Sequence, residues 1–214
     1  SLVKALHRFD SGGSVRFVFA STAQVYEVRP GAAPAGGLSI SEDSPLGPQN
    51  TYARTKLAAE LAVQVLARAS SRSVVVFRPF NHIGPGQRDA FVVSSFARQV
   101  ARMELGRAAP VLEAGDLEVQ RDFCDVRDIA RAYALAAEGA VSEGVYNLAS
   151  GRAVPLAAVV EALRRASTRP FEVRVRQDLL RPGEVRAFRG DPRRIQSACG
   201  WQAAIPLEVS VLDA

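Results

Sequence analysis

At 214 residues, 48% of them apolar and 23% charged, the chain can bury the core of one large domain or two small ones. Its formal charge of +5 comes almost wholly from arginine, since Lys4 and Lys56 are its only lysines, and the bases are scattered among acids with no run interleaved with aromatics. That pattern argues against nucleic acid as a partner. The apolar runs fall far short of the roughly 20 residues that cross a bilayer, so no membrane partner is expected. No charged-then-apolar leader opens the chain, and Cys124 and Cys199 have neither metal-ligand spacing nor a disulfide framework; no metal and a reducing, cytoplasmic setting are expected.

Leu2 to Phe9 reads as the end of a helix, followed by a turn at Ser11-Gly12-Gly13. Val15 to Ala20 is a short apolar run of the kind that forms a strand buried on both faces. A loop rich in Pro, Gly and Ala runs from Arg29 to Gly37. From Tyr52 to Arg68 the period becomes helical, with Leu57, Leu61 and Val65 repeating at four and Ala58, Ala62 and Leu66 beside them. Val74 to Phe77 reads as a second buried strand. A helix from Val92 to about Leu105 places Val93, Phe96, Val100 and Met103 on one face. Asp125 caps a helix whose core stripe is Val126, Ile129, Ala130 and Tyr133, with Asp128 suited to the positive helix end. Val145 to Leu148 is a strand, and Leu156, Val159, Val160 and Leu163 mark another helix. Asp191-Pro192 starts a short helix that Gly200 ends. Cys124 and Trp201 are expected in the core. This alternation predicts an α/β fold with a mainly parallel sheet.

Tyr52 and Lys56 stand at i and i+4, on one face near a helix start. A phenol is ordinarily a weak acid, with a pKa of about 10, and an ammonium one turn away, together with the positive helix end, favours its phenolate form. About thirty residues upstream, the first buried strand ends in Phe19-Ala20-Ser21-Thr22-Ala23-Gln24-Val25-Tyr26. Downstream, the second ends in Arg78-Pro79-Phe80-Asn81-His82-Ile83-Gly84-Pro85-Gly86-Gln87. A hydroxyl, a Tyr/Lys pair and a Pro-Phe-Asn stretch thus meet at one sheet edge, where α/β folds place ligands.

In this order the segments resemble the extended short-chain dehydrogenase/reductases, the NAD(P)-dependent nucleotide-sugar epimerases and dehydratases. Further stretches carry the likeness along nearly the whole chain: residues 115–123 around Arg121, Asp125-Val126-Arg127-Asp128, Val145 to Gly151, Arg181-Pro182-Gly183-Glu184-Val185 and Gly190-Asp191-Pro192. Within the family, Pro79 to Gln87 and the Arg181/Glu184 pair look most like GDP-mannose 4,6-dehydratases and GDP-4-keto-6-deoxy-mannose reductases. The resemblance implies a Rossmann-type parallel sheet formed by residues 1–80 and 122–149, with a smaller, discontinuous nucleotide-sugar part formed by 81–121 and 150–214. It implies NAD or NADP as cofactor and gives Thr22, Tyr52 and Lys56 the catalytic roles. Tyr52, Lys56, Pro79 and His82 would contact the cofactor, and Asn81, Arg121, Arg181 and Glu184 would bind the substrate. Plainer roles stay open for some: Arg121 as partner of Asp122 or Asp125, His82 as a turn residue, Asn81 as a strand-end cap.

Such folds start with a strand, a Gly-rich turn and a helix. No G-x-G-x-x-G cluster follows a strand in these residues, so the front strands of the sheet are expected to be missing from this stretch. Dehydratases of the family carry an acid two positions after the threonine; here Gln24 occupies that place, and an amide cannot act as a general base. The expected reaction is therefore NAD(P)H-dependent reduction of a GDP-4-keto-6-deoxy-hexose at C4. The alternatives are a nucleotide-sugar 4-epimerase or 4,6-dehydratase, or, in another class, a non-catalytic fragment or binding subunit. The Tyr52 helix also carries Ala59, Ala62, Val63 and Leu66 around its circumference, more than one core face needs. With the family likeness, this predicts a homodimer.

Overall fold

The computed structural model describes residues 15–28, 38–70, 72–181, 183 and 185–214. The expected helix at Leu2 to Phe9, the Ser11 turn, the Arg29 to Gly37 loop and Glu184 lie outside them. The strands are β1 (Phe17–Ala20), β2 (Leu38–Ile40), β3 (Val74–Pro79), β4 (Asn81–Ile83), β5 (Val111–Ala114), β6 (Gln120–Arg121), β7 (Phe123–Asp125), β8 (Gly144–Leu148), β9 (Val154–Pro155), β10 (Glu172–Val175) and β11 (Ala187–Gly190). The helices are α1 (Thr51–Ser70), α2 (Val92–Glu104), α3 (Val126–Ala137), α4 (Leu156–Ala166), α5 (Arg193–Cys199) and α6 (Leu207–Leu212).

Strand β3 is the centre of a parallel sheet ordered β1-β3-β8, with Phe19 opposite Val76 and Phe77 opposite Tyr146. Three successive valines and Phe77 suit a strand covered on both faces, and Val75, Val76 and Phe77 are almost fully buried. β1 departs from the expectation of burial on both faces: its first three residues are half-buried and Ala20 is exposed. Among the described residues it has a ladder partner on one side only.

Asn50 starts α1, its Oδ1 accepting from Ala53 N at 2.8 Å and so satisfying one of the orphan donors of the first turn. The inward face runs through Ala53, Leu57, Glu60 and Gln64, of which Ala53 and Glu60 are completely buried. The expected stripe of Leu57, Leu61 and Val65 is therefore corrected, because Leu61 is 50% and Val65 64% exposed. The reason is a buried carboxylate. Glu60 takes a place on the core face that apolar periodicity assigns to a hydrophobe.

Asp125 caps α3 as expected, accepting from Arg127 N at 2.8 Å. The core stripe is shifted: Ile129, Ala132 and Ala136 are buried, whereas Val126 and Ala130 face outward and Tyr133 is half-buried. Asp128 does more than complement the helix end. Its Oδ2 accepts from Ala204 N and Ile205 N at 2.8 and 2.9 Å, and its carbonyl from Trp201 Nε1 at 2.8 Å, fastening the C-terminal segment to α3. Trp201 and Cys124 are core residues, and burial pushes the Cys124 thiol far above its usual range.

The residues expected on one face of α2 are buried with Leu112, Val159, Val160 and Leu163, forming a second core apart from that of the sheet. Asp122 ties the junction together: its carboxylate accepts from Ser150 N and Oγ, Gly151 N and Gly190 N, while burial pushes its pKa up against those bonds. Only glycine fits at Gly190, since a Cβ there would stand 2.4 Å from Ala149 Cβ and 2.6 Å from the Phe80 ring. Asp191 accepts from Arg193 N at 3.0 Å, and α5 starts one residue beyond the proline before ending at Gly200, φ 71°. Among the described residues no helix is long and apolar enough to cross a membrane, and no cluster of three or more His, Cys, Asp or Glu suits a metal ion.

Candidate active site

The carboxyl ends of β1 and β3 and the first turn of α1 open onto a cleft of about 660 Å3. Six of the predicted site residues line it: Thr22, Tyr52, Lys56, Pro79, Asn81 and His82. Thr22 is buried at the start of the Ala23–Val25 turn, where its Oγ1 accepts from Gln24 N at 3.3 Å. Tyr52 is 52% exposed, with its ring open to the cleft. Lys56 Nζ lies 6.0 Å from that ring's centroid and donates to Ala20 O at 2.7 Å, so β1 moors the ammonium that faces the phenol.

Gln24 also lines the cleft, and its Oε1 accepts from Asn50 Nδ2 at 2.9 Å. The same Asn50 caps α1, which links the neutral residue after Thr22 to the helix bearing Tyr52. Ile129 and Tyr133 also line the cleft and give it apolar surface. Tyr133 packs edge-on against Phe77, 5.0 Å between centroids, and burial, then the neighbouring Tyr52, push its phenol up to about 12. It therefore stays a neutral phenol at physiological pH.

Asn81 and His82 line the cleft with their side chains held to backbone, whereas Arg121 and Arg181 do not line it. Asn81 Nδ2 donates to Asp122 O at 3.1 Å and His82 Nδ1 lies 3.2 Å from Phe80 O, so both ring the cleft while anchored to backbone. Arg121 lies behind the wall rather than on it, its guanidinium 5.4 Å from the centroid of Phe188, which does line the cleft. It donates to Gln120 O and Val185 O at 2.8 and 2.9 Å. Arg181 is exposed and does not line the cleft. The cleft cation that the sequence pattern does not single out is Arg88. Among the described residues its guanidinium makes no hydrogen bond or ion pair, while its carbonyl accepts from Phe91 N at 3.1 Å; its place directly after the Pro79 to Gln87 stretch is the available signal.

The model of the NAD dependent epimerase/dehydratase family matches residues 1–149. The chain belongs to that family. Across 202 residues, 94% of the chain, it is 38% identical to the GDP-6-deoxy-D-mannose reductase of Pseudomonas aeruginosa, covering 64% of that protein. It is 29% identical over 228 residues to the UDP-glucose 4-epimerase of Bacillus subtilis, again covering 64% of the relative. The chain thus spans a little under two thirds of these curated relatives. Among solved structures it superposes on RMD from Pseudomonas aeruginosa complexed with NADPH with a TM-score of 0.87 and 37% identity, covering 99% of this chain and 68% of that one. MoeE5 in complex with UDP-glucose and NAD gives a TM-score of 0.78 at 31% identity, covering 99% of this chain and 66% of that one.

Proposed function

We propose that the full-length protein reduces the 4-keto group of a GDP-linked 4-keto-6-deoxy hexose, with NADPH or NADH as reductant. The observation that carries this reading is Thr22, Tyr52 and Lys56 facing one cleft with the neutral Gln24 two residues after Thr22. The likeness to a GDP-6-deoxy-D-mannose reductase supports the nucleotide and the sugar.

The cleft residues fit a nicotinamide. Pro79, Ile129 and Tyr133 offer apolar wall for a flat ring, and Lys56 spends one of three N–H donors on Ala20, leaving two for ribose hydroxyls. The bound cofactor supplies the hydride. Tyr52 gives its proton to the oxygen growing at C4, and the Thr22 hydroxyl donates a second hydrogen bond to that oxygen. Asn81 serves the diphosphate side of the substrate and Arg181 and Glu184 its nucleoside; Arg88 joins Asn81 as a guanidinium suited to phosphate oxygens, and Arg121, held by Gln120 O and Val185 O, backs that side through Phe188. In this reading residues 1–80 and 122–149 face the cofactor, and 81–121 and 150–214 face the nucleotide sugar.

The exposed Leu61 and Val65 of α1, with the small Ala58 and Ala62 beside them, support a homodimer built on this helix. Light scattering of the full-length protein giving a monomer mass at high micromolar concentration would contradict it. Two unpaired cysteines are in keeping with a cytoplasmic setting.

The test is turnover by the full-length protein. GDP-4-keto-6-deoxymannose should oxidise NADPH or NADH and yield a GDP-6-deoxyhexose, with dTDP- and UDP-linked 4-keto sugars much slower. Interconversion of UDP-sugars without net cofactor oxidation would favour the epimerase reading instead. Cofactor binding with neither reaction would favour a binding subunit.

A further inference from the structure

Glu60 stands one turn beyond Lys56 on the inward face of α1 and is fully buried. Its Oε2 accepts from Ser21 Oγ at 2.5 Å and from Arg78 Nε at 3.3 Å, and its Oε1 from Arg78 Nη2 at 2.5 Å. Ser21 and Arg78 are themselves only 3% and 4% exposed. Each of these partners is next in sequence to a cleft residue: Ser21 to Thr22, and Arg78 to Pro79. Ser21 also follows Ala20, whose carbonyl moors Lys56. One carboxylate therefore reaches all three elements that meet at the cleft. Arg78 extends the network by donating to Tyr26 Oη at 3.0 Å, and Tyr26 in turn donates to Asn147 Oδ1 on β8 at 2.7 Å.

Net stability is a poor explanation for this arrangement. Desolvating a carboxylate and a guanidinium costs several kcal/mol per ion, and apolar replacements of similar volume are often neutral or stabilising. A charged, forked, hydrogen-bonded contact supplies direction instead: it accepts one spacing and one angle between its segments. A misplacement of about 1 Å at a reacting centre can cost 10²-fold in rate, so a spacing device beside the catalytic residues has a large lever.

We propose that Glu60 is a positioning residue: through Ser21 and Arg78 it sets the register of the Thr22 strand end, the Tyr52/Lys56 helix and the Pro79 strand end. The clamp rests on the catalytic roles given above to Thr22, Tyr52 and Lys56, and it acts on them without touching substrate or cofactor.

The test compares full-length variants. Ser21→Ala removes one bond of the clamp and leaves the ion pair. Ser21→Ala/Glu60→Leu/Arg78→Met replaces the whole clamp by apolar side chains, so its melting temperature should stay near that of the wild type. For the triple variant kcat should fall by about 10-fold or more while KM for the GDP-keto sugar moves little; Ser21→Ala should show a smaller fall of the same kind. Glu60→Gln, which keeps the length and loses the charge, and Glu60→Asp, which keeps the charge and loses the spacing, should both lower kcat; wild-type kcat in both would count against the clamp. A folded triple variant with wild-type kcat would overturn the proposal. If it does not fold, wild-type kcat in Ser21→Ala would do so. Should the wild type turn over no nucleotide sugar, the proposed reaction has failed, and a crystal structure still reads the clamp: Lys56 Nζ should leave Ala20 O in whichever variant folds. An unchanged contact there would refute positioning by Glu60.

Discussion

Lys56 Nζ stands 6.0 Å from the ring centre of Tyr52 and is held there by a 2.7 Å bond to Ala20 O. The bond ties a helix side chain to the end of β1, so ammonium and phenol keep one relative position. Lys56→Arg keeps the charge, but a longer, planar fork cannot hold both the mooring and the approach to the phenol. The full-length variant should lose about 10-fold or more in kcat/KM with little change in melting temperature. Near-wild-type steady-state kinetics would contradict the mooring as a functional contact.

Gln24 bears on the choice between reduction and loss of water. A carboxylate placed there by Gln24→Glu would take up the bond from Asn50 Nδ2, which aims it at the α1 cap and away from a sugar carbon. Keto reduction should survive within a few-fold, and dehydration of GDP-mannose should stay negligible, since proton abstraction needs the base within hydrogen-bond reach, about 2.6–3.2 Å. Product analysis by chromatography decides this; efficient dehydration would show that the orientation inferred for position 24 is wrong.

Two arginines near the cleft should separate cleanly. The Arg88 side chain lines it without a partner among the described residues, so Arg88→Gln should raise KM for the GDP-sugar about 10-fold, the loss of one charge-assisted contact, and leave the melting temperature alone. Arg121 donates to two carbonyls and stacks near Phe188. Arg121→Gln should destabilise the protein by about 1–3 kcal/mol, read by urea denaturation. The reverse pattern would exchange their roles.

Much of the fold could be read from residue patterns because the governing signals are local. The Val74 to Phe77 run, the α2 stripe, the Asp125 cap and the Gly200 stop each depend on near neighbours and fall where expected. Periodicity misleads where tertiary polar contacts overrule it. Glu60 turns the inward face of α1 away from Leu61 and Val65, and that cannot be anticipated without knowing that Arg78 and Ser21 wait across the gap. In the same way, Asp128 looks like a helix-end charge until Ala204 and Ile205 come back to it. The cleft residues from Thr22 to His82 were legible because strand ends and one helix turn place them, whereas Arg121 and Arg88 depend on how Phe188 and the Gln87 turn pack.

Asp125 offers a check by pH. The Arg127 side chain, then Arg127 N and Ser210, hold its carboxyl down at about 2, below the ordinary value of about 3.9. A depressed folded-state value stabilises the protein above the unfolded pKa, and the contribution fades as pH falls through the folded one. Asp125→Asn, which can still cap α3, should therefore cost about 2 kcal/mol near neutrality. The gap from wild type should close between about pH 4 and about pH 2. Denaturant melts across that range test it; a gap independent of pH would mean that packing, not charge, is what Asp125 contributes.

In the proposed reaction Tyr52 protonates the sugar oxygen, so Tyr52→Phe in the full-length protein removes the donor itself. The substitution removes one oxygen from a half-exposed ring and leaves the packing of α1 nearly unchanged. With GDP-4-keto-6-deoxymannose and NADPH, kcat should fall by ~10²–10⁴-fold, while KM changes far less because the nucleotide end is held by other residues. Keto-sugar reduction at close to the wild-type rate would contradict the mechanism, whatever the fold.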